Sequence, residues 1–167
     1  MSKTKDNLES AFAGESQANR QYSLFAEKAE EEGQKRIARL FRAAADAETV
    51  HARNHFKVLQ GIKSTKENLQ TAIGGENHEF TEMYPQFIKS ANAEGEMKAA
   101  DSFDLANKVE KIHHGLYKDA LAKLERDDAV ELKPFYVCQY CGNTIEGEAP
   151  IKCPVCGAPK KMIKLIE

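Results

Sequence analysis

Apolar residues recur at three- and four-residue steps from about residue 5 to about residue 125, the period of helices with one buried face. Gly33, Gly61 and Gly95 interrupt the pattern and divide it into four long helices. Gly33 and Gly95 are suited to end helices as C-caps, and Ser64-Thr65-Lys66-Glu67 has the spacing of a capping box that starts the third helix. The stripe of the first helix runs Leu8, Phe12, Glu15, Ala18, Tyr22, Phe25, Ala29, and that of the second Ile37, Phe41, Ala44, Glu48, His51, His55, Val58. The third gives Leu69, Ile73, Glu76, Glu79 or Phe80, Met83, Phe87; the fourth gives Phe103, Ala106, Glu110, His113, Tyr117, Leu121, Leu124. Beyond residue 125 the composition changes. Glu125 to Lys133 is a charged linker closed by Pro134, and 135–167 is rich in Cys, Gly, Pro and β-branched residues, as small strand-and-turn domains are. The expected division is a mainly α four-helix domain at 1–126, a linker at 127–134 and a small β/turn domain at 135–167.

The helical part repeats itself. Ala11-Phe12-Ala13-Gly14-Glu15 returns as Ala72-Ile73-Gly74-Gly75-Glu76 at an offset of 61, and Glu48-Thr49-Val50-His51 returns as Glu110-Lys111-Ile112-His113 at an offset of 62. The bundle is therefore two copies of a helical hairpin, about 5–60 and 64–125, with one residue added. The change of offset falls between Met83 and Glu94, close to Pro85, which removes a helical hydrogen bond. A single inserted residue can be absorbed as a π-turn, here expected around Tyr84–Phe87; the alternative is that the extra residue sits in the turn before Gly95.

Each stripe is broken near its middle by an acid. Glu15, Glu48, Glu76, Glu79 and Glu110 are expected in the core at one depth, with His51 and His113. One such Glu alone would be an edge residue reaching water. Five together are costly, because each buried carboxylate costs several kcal/mol and crowding adds to it. Cations are the available compensation. Glu and His three residues apart share a helix face, so Glu48/His51 and Glu110/His113 can each serve one ion. Ferritin-like di-metal bundles use one Glu from each of two helices and Glu-x-x-His from each of the other two, the set formed by Glu15, Glu76, Glu48/His51 and Glu110/His113. Glu79, whose counterpart is Ala18, is a seventh candidate. His55 reads as packing or support, and His78 and His114 as partly exposed. Tyr22 and Tyr84 stand near the ligands, either as packing or as hydrogen-bond donors to a ligand carboxylate.

Cys138-Gln-Tyr-Cys141-Gly and Cys153-Pro-Val-Cys156-Gly form two C-x-x-C-G knuckles separated by 11 residues, a tetrahedral metal signature. Thiolates suit zinc or iron. A structural zinc ribbon is one reading; beside a di-metal bundle, iron is favoured because zinc carries no electron.

A net charge of −2 with 30% charged residues gives no sign of a nucleic-acid partner. No run approaches the ~20 apolar residues of a membrane span, and MSKTKDNLES lacks a signal-peptide core. A cytoplasmic location is expected.

Taken together, these residues resemble rubrerythrin over almost the whole chain: AFAGESQA at 11–18, GENHEFTEMYP at 75–85, both E-x-x-H pairs and the rubredoxin-like knuckles. The resemblance implies a ferritin-like di-iron bundle with a separate rubredoxin-like iron. It implies reduction of hydrogen peroxide and protection against oxidative stress, with electrons from an external reductase. It places two iron ions (Fe) on Glu15, Glu48, His51, Glu76, Glu79, Glu110 and His113, and one on Cys138, Cys141, Cys153 and Cys156. It further implies that one iron exchanges a histidine for a glutamate with redox state, here His51 and Glu79. Two rivals are an iron-storage shell, which gives the cysteines no role, and a zinc-ribbon adaptor, which leaves the acids unexplained.

The connection between the hairpins bears on assembly. In ferritin-like order the second and third helices run parallel. The second helix, Gln34 to about Gln60, is roughly 40 Å long, so a crossover needs about a dozen residues. Gly61-Ile62-Lys63 reaches only roughly 10–15 Å. A domain-swapped homodimer, each bundle taking 5–60 from one chain and 64–125 from the other, is the economical solution. Up-down-up-down connectivity within one chain is the alternative.

Overall fold

The computed structural model describes residues 2–126 and 132–166. Two compact units, Met1–Lys63 and Ser64–Glu167, divide the chain. The first is an antiparallel hairpin of α1 (Lys3–Glu31) and α2 (Lys35–Val58). The second holds α3 (Thr65–His78), a π-turn (Glu79–Met83), α4 (Tyr84–Glu94) and α5 (Met97–Glu125), then β1 (Phe135–Cys138), β2 (Thr144–Glu146) and β3 (Ile163–Ile166). Most of the linker expected at 127–134 lies outside the described residues. No helix among the described residues is long and apolar enough to cross a membrane.

The local signals act as read. Gly33 and Gly95 adopt φ of 74° and 76°, in the left-handed region open to a residue without Cβ. Each lets the next N–H turn back onto a carbonyl five residues earlier, Gln34 to Ala29 and Glu96 to Ala91, closing the helix end. Ser64 and Glu67 form the reciprocal capping box that starts α3.

Packing inside each hairpin departs from the expected stripes. The buried helical residues are mostly alanines: Ala29, which ends the first stripe, and, beside the stripes, Ala26, Ala38, Ala45 and Ala52 in the first unit and Ala91 and Ala100 in the second. Small side chains let two helices approach closely, and the seam repeats at the 62-residue offset, Ala29 and Ala38 with Ala91 and Ala100. The larger stripe residues stay open within their units, Phe25 at 47%, Val58 at 65% and Phe87 at 42% exposure. The acids, expected in a core, are half-buried for the same reason: one hairpin covers only one side of them.

The irregular turn lies one turn earlier than expected, at Glu79–Met83, where the Tyr84 N–H reaches the Glu79 carbonyl, an i→i−5 bond. Pro85 explains the position: its ring would collide with the carbonyl four residues before it, so the helix widens ahead of the proline. Tyr22, Phe25 and Phe41 form one aromatic trio and Tyr84, Phe87 and Phe103 the other. Their offset is already 62, which places the added residue between Glu79 and Tyr84.

In the C-terminal sheet β1 lies between β2 and β3, antiparallel to both. The strands are too short to enclose a core of their own. The buried residues are Cys138, Asn143 and Cys153, so the cysteine cage occupies the centre.

Candidate metal centres

Two carboxylate–histidine groups form, one per unit. In the first, Glu15 from α1 meets Glu48 and His51 from α2; in the second, Glu76 from α3 meets Glu110 and His113 from α5. His51 Nδ1 lies 2.9 Å from Glu48 Oε2 and 3.9 Å from Glu15 Oε1. His113 Nδ1 lies 2.7 Å from Glu110 Oε2 and 4.0 Å from Glu76 Oε1. Donor atoms about 2.0–2.2 Å from one ion and at right angles to each other are about 3 Å apart, so both Glu–His pairs fit one cation each.

The charge distribution asks for that cation. Glu15 and Glu48 share a hydrogen bond. That bond, with His51 beside it, holds Glu48 below the usual carboxylate range, while the same bond, burial and the charge of Glu48 push Glu15 above it. In the second group burial, then the hydrogen bond and charge of Glu110, raise Glu76 to about 7. Carboxylates driven to share protons mark a site whose negative charge a metal would balance.

Glu79 stands outside the second group, on the first residue of the π-turn, and is raised by burial and then by the charge of Glu110. Tyr84 is raised by burial and then by Glu110, Glu79 and Glu76. Neither the Tyr22 nor the Tyr84 hydroxyl forms a hydrogen bond among the described residues; both rings pack in the aromatic trios. His55 is half-buried, its charge felt at Glu15. His78 is exposed and pairs with Glu82 at 3.3 Å, and His114 packs against Phe80.

The four cysteines are free thiols forming a closed cage, with Cys138–Cys156 and Cys141–Cys153 sulfurs 3.6 and 3.7 Å apart. A tetrahedron with metal–sulfur bonds of about 2.3 Å has edges of about 3.8 Å. Gly142 and Gly157 take φ of 82° and 76° to turn the knuckles. Burial opposes ionisation of Cys153, but the N–H groups of Cys156 and Val155, with neighbouring thiols, outweigh it and bring it down to about 7. Burial keeps Cys141 and Cys156 high.

One contact was not legible from spacing. His113 Nε2 lies 2.8 Å from Thr144 Oγ1, so the second carboxylate–histidine group touches the cysteine domain. Lys123 and Glu146 approach to 4.0 Å across the same junction. A threonine three residues after a knuckle carries no ligand signature, so only the fold reveals it.

The rubrerythrin family profile matches residues 6–121, and that of the rubrerythrin rubredoxin-like domain matches 136–164. Rubrerythrin-2 of Clostridium acetobutylicum is 37% identical, covering 94% of this chain and 93% of that protein. Rubrerythrin of Porphyromonas gingivalis is 38% identical, covering 95% and 88%. The solved structure of nigerythrin in a mixed-valence state is 34% identical with a TM-score of 0.58, covering 99% of this chain and 88% of that one. The chain belongs to the rubrerythrin family.

Proposed function

We propose that this protein reduces hydrogen peroxide to water and so protects a cytoplasm against oxidative stress. Family membership and the two kinds of donor set support iron as its metal. Two iron ions are assigned to Glu15, Glu48, His51, Glu76, Glu79, Glu110 and His113, and one to Cys138, Cys141, Cys153 and Cys156. The observation that carries the reading is the junction at α5: the four-thiolate cage sits on the helix that bears Glu110 and His113, inside one compact unit. When bound, the carboxylate-held iron pair supplies the two electrons that split peroxide, and the thiolate-held iron returns them singly from an external reductase.

The protein's own groups have separate tasks. The carboxylates balance the charge of the cations, and their length lets them change how they bind. The two waters formed from one peroxide require two protons. Glu79, half-buried and with its carboxyl held above the ordinary range, can hold a proton beside the site whenever it is not a ligand. Cys138 and Cys153 are buried and Cys141 and Cys156 partly so, which limits the access of water to the sulfurs.

Assembly follows from the hairpins. Each centre combines Glu15, Glu48 and His51 of one protomer with Glu76, Glu79, Glu110 and His113 of a second copy in a domain-swapped homodimer. The link between α2 and α3 supports this. It is short, and Gly61 lies so close under Phe56 that a Cβ there would meet the ring at 2.2 Å, which fixes the turn. The open stripe on each hairpin provides the surface for the exchange.

Peroxide consumption by iron-loaded protein with an external electron donor tests the function. C138S and C156S are expected to abolish steady-state turnover while leaving a single oxidation of the pre-reduced carboxylate centre by peroxide intact. Normal turnover in these variants would overturn the relay. Wild-type protein consuming peroxide no faster than free iron would overturn the peroxidase reading.

A further inference from the structure

The two E-x-x-H histidines occupy equivalent positions in the repeat but have different surroundings. His113 turns Nδ1 toward Glu110 and Glu76 and Nε2 toward Thr144 Oγ1, at 2.8 Å. A neutral imidazole carries one N–H, so a ring that offers Nδ1 to a metal must hold its proton on Nε2 and needs an acceptor there. Thr144 can be that acceptor. Its hydroxyl hydrogen can point to the Gly142 carbonyl, 3.5 Å away, which leaves the oxygen free to receive Nε2–H. The hydroxyl is itself held in place. Thr144 pairs with Val137 in the sheet. Asn143 before it is 1% exposed, with its amide on Cys153 Sγ at 3.8 Å and its carbonyl receiving the Cys138 N–H at 2.9 Å. Val109, one turn ahead of His113 and 2% exposed, lies against Gly142 and anchors the junction.

His51 has no such support. Within its own unit its Nε2 has no hydrogen-bond partner among the described residues. The counterpart of Val109 is Ala47, which is exposed.

We infer that Thr144 is the positioning residue of His113: its hydroxyl holds the ring with Nδ1 facing the metal. The inference rests on the proposed carboxylate–histidine metal centre. Hydrogen-bond partners of metal-bound histidines typically contribute about 10- to 100-fold in metal affinity.

Cobalt(II) binding tests this without any turnover. Protein that retains iron in the cysteine cage is stripped at the carboxylate centre and titrated with cobalt(II) against a competing chelator. T144V, which keeps the shape and removes the hydroxyl, is expected to weaken binding about 10- to 100-fold. T144S, which keeps the hydroxyl, is expected to bind within about threefold of wild type, well inside that range. The visible absorption of the cage iron reports that the domain is intact; if T144V loses it, T144A takes its place in the comparison. Wild-type affinity in the hydroxyl-free variant, or T144S as weak as T144V, would overturn the inference. Failure of wild type to reduce peroxide would sink the functional proposal yet leave this comparison standing.

Discussion

The first and second hairpins follow one plan and part company around the metal ligands. Both have the alanine seam, the glycine C-cap, the aromatic trio and a Glu–His pair with a further Glu across from it. Only the second has a carboxylate at the position of Glu79, a π-turn beside it, a carboxyl raised to about 7 at Glu76, and a neighbouring domain on its histidine. The duplicated parts build the helix pair; the added parts all lie where chemistry would occur. A symmetric scaffold thus carries an unsymmetric site, made by one inserted residue and one docked domain.

The comparison can be broken at the plan itself. Glu48→Ala and Glu110→Ala each remove one side of a Glu–His pair, and both are expected to abolish iron(II) loading of the carboxylate centre, read by metal analysis. If one of them loaded normally, the hairpins would not be equivalent halves. Glu79→Ala makes the second hairpin resemble the first. Iron loading should survive while peroxide turnover falls on the order of 100-fold, the scale of a lost proton-handling group. Unchanged turnover would mean that the added carboxylate has no part in the reaction.

A smaller effect belongs to the first hairpin alone. Gly61→Ala puts a methyl into the Phe56 ring and forces one of them to move. The expected cost is about 1–3 kcal/mol in denaturant unfolding; an unchanged midpoint would show that the turn yields freely. The smallest effect is on pH dependence. In the metal-free fold Glu76 titrates at about 7, against 4.5 for an ordinary carboxyl. Its protonated form therefore contributes stability that is fully present below about 4.5 and is lost as pH rises through 7. Relative to Glu76→Gln, metal-free wild type should lose thermal stability between about pH 4.5 and 7. Glu15→Gln should show the same direction, since Glu15 is also raised, first by its hydrogen bond with Glu48 and then by burial. Parallel melting curves for wild type and Glu76→Gln would contradict this.

Much of this was legible in the sequence, because the repeat, the capping box, the C-cap glycines and the knuckles depend on residues near one another in the chain. The misplaced features depend on packing across elements. Apart from Ala29, the alanine seam stands beside the stripe that periodicity selects, since tight helix contact favours small residues over large apolar ones. The π-turn could have been located by noting that Tyr22 and Tyr84, like Phe25 and Phe87, already match at 62 while Glu15 and Glu76 match at 61. Thr144 gave no signal, because its role arises only where β2 meets α5.

The central claim is that one working centre is a first hairpin joined to the second hairpin of another copy. It is tested most directly by complementation. One chain carries E15A and E48A, the other E76A and E110A, each with a different affinity tag, and the doubly tagged dimer is purified after co-expression. In a swapped dimer one bundle receives every damaged residue and the other receives none, so peroxide reduction should return to about half the wild-type value per dimer. A bundle closed within each chain would leave both centres damaged. A mixed dimer no more active than either variant alone would contradict the account.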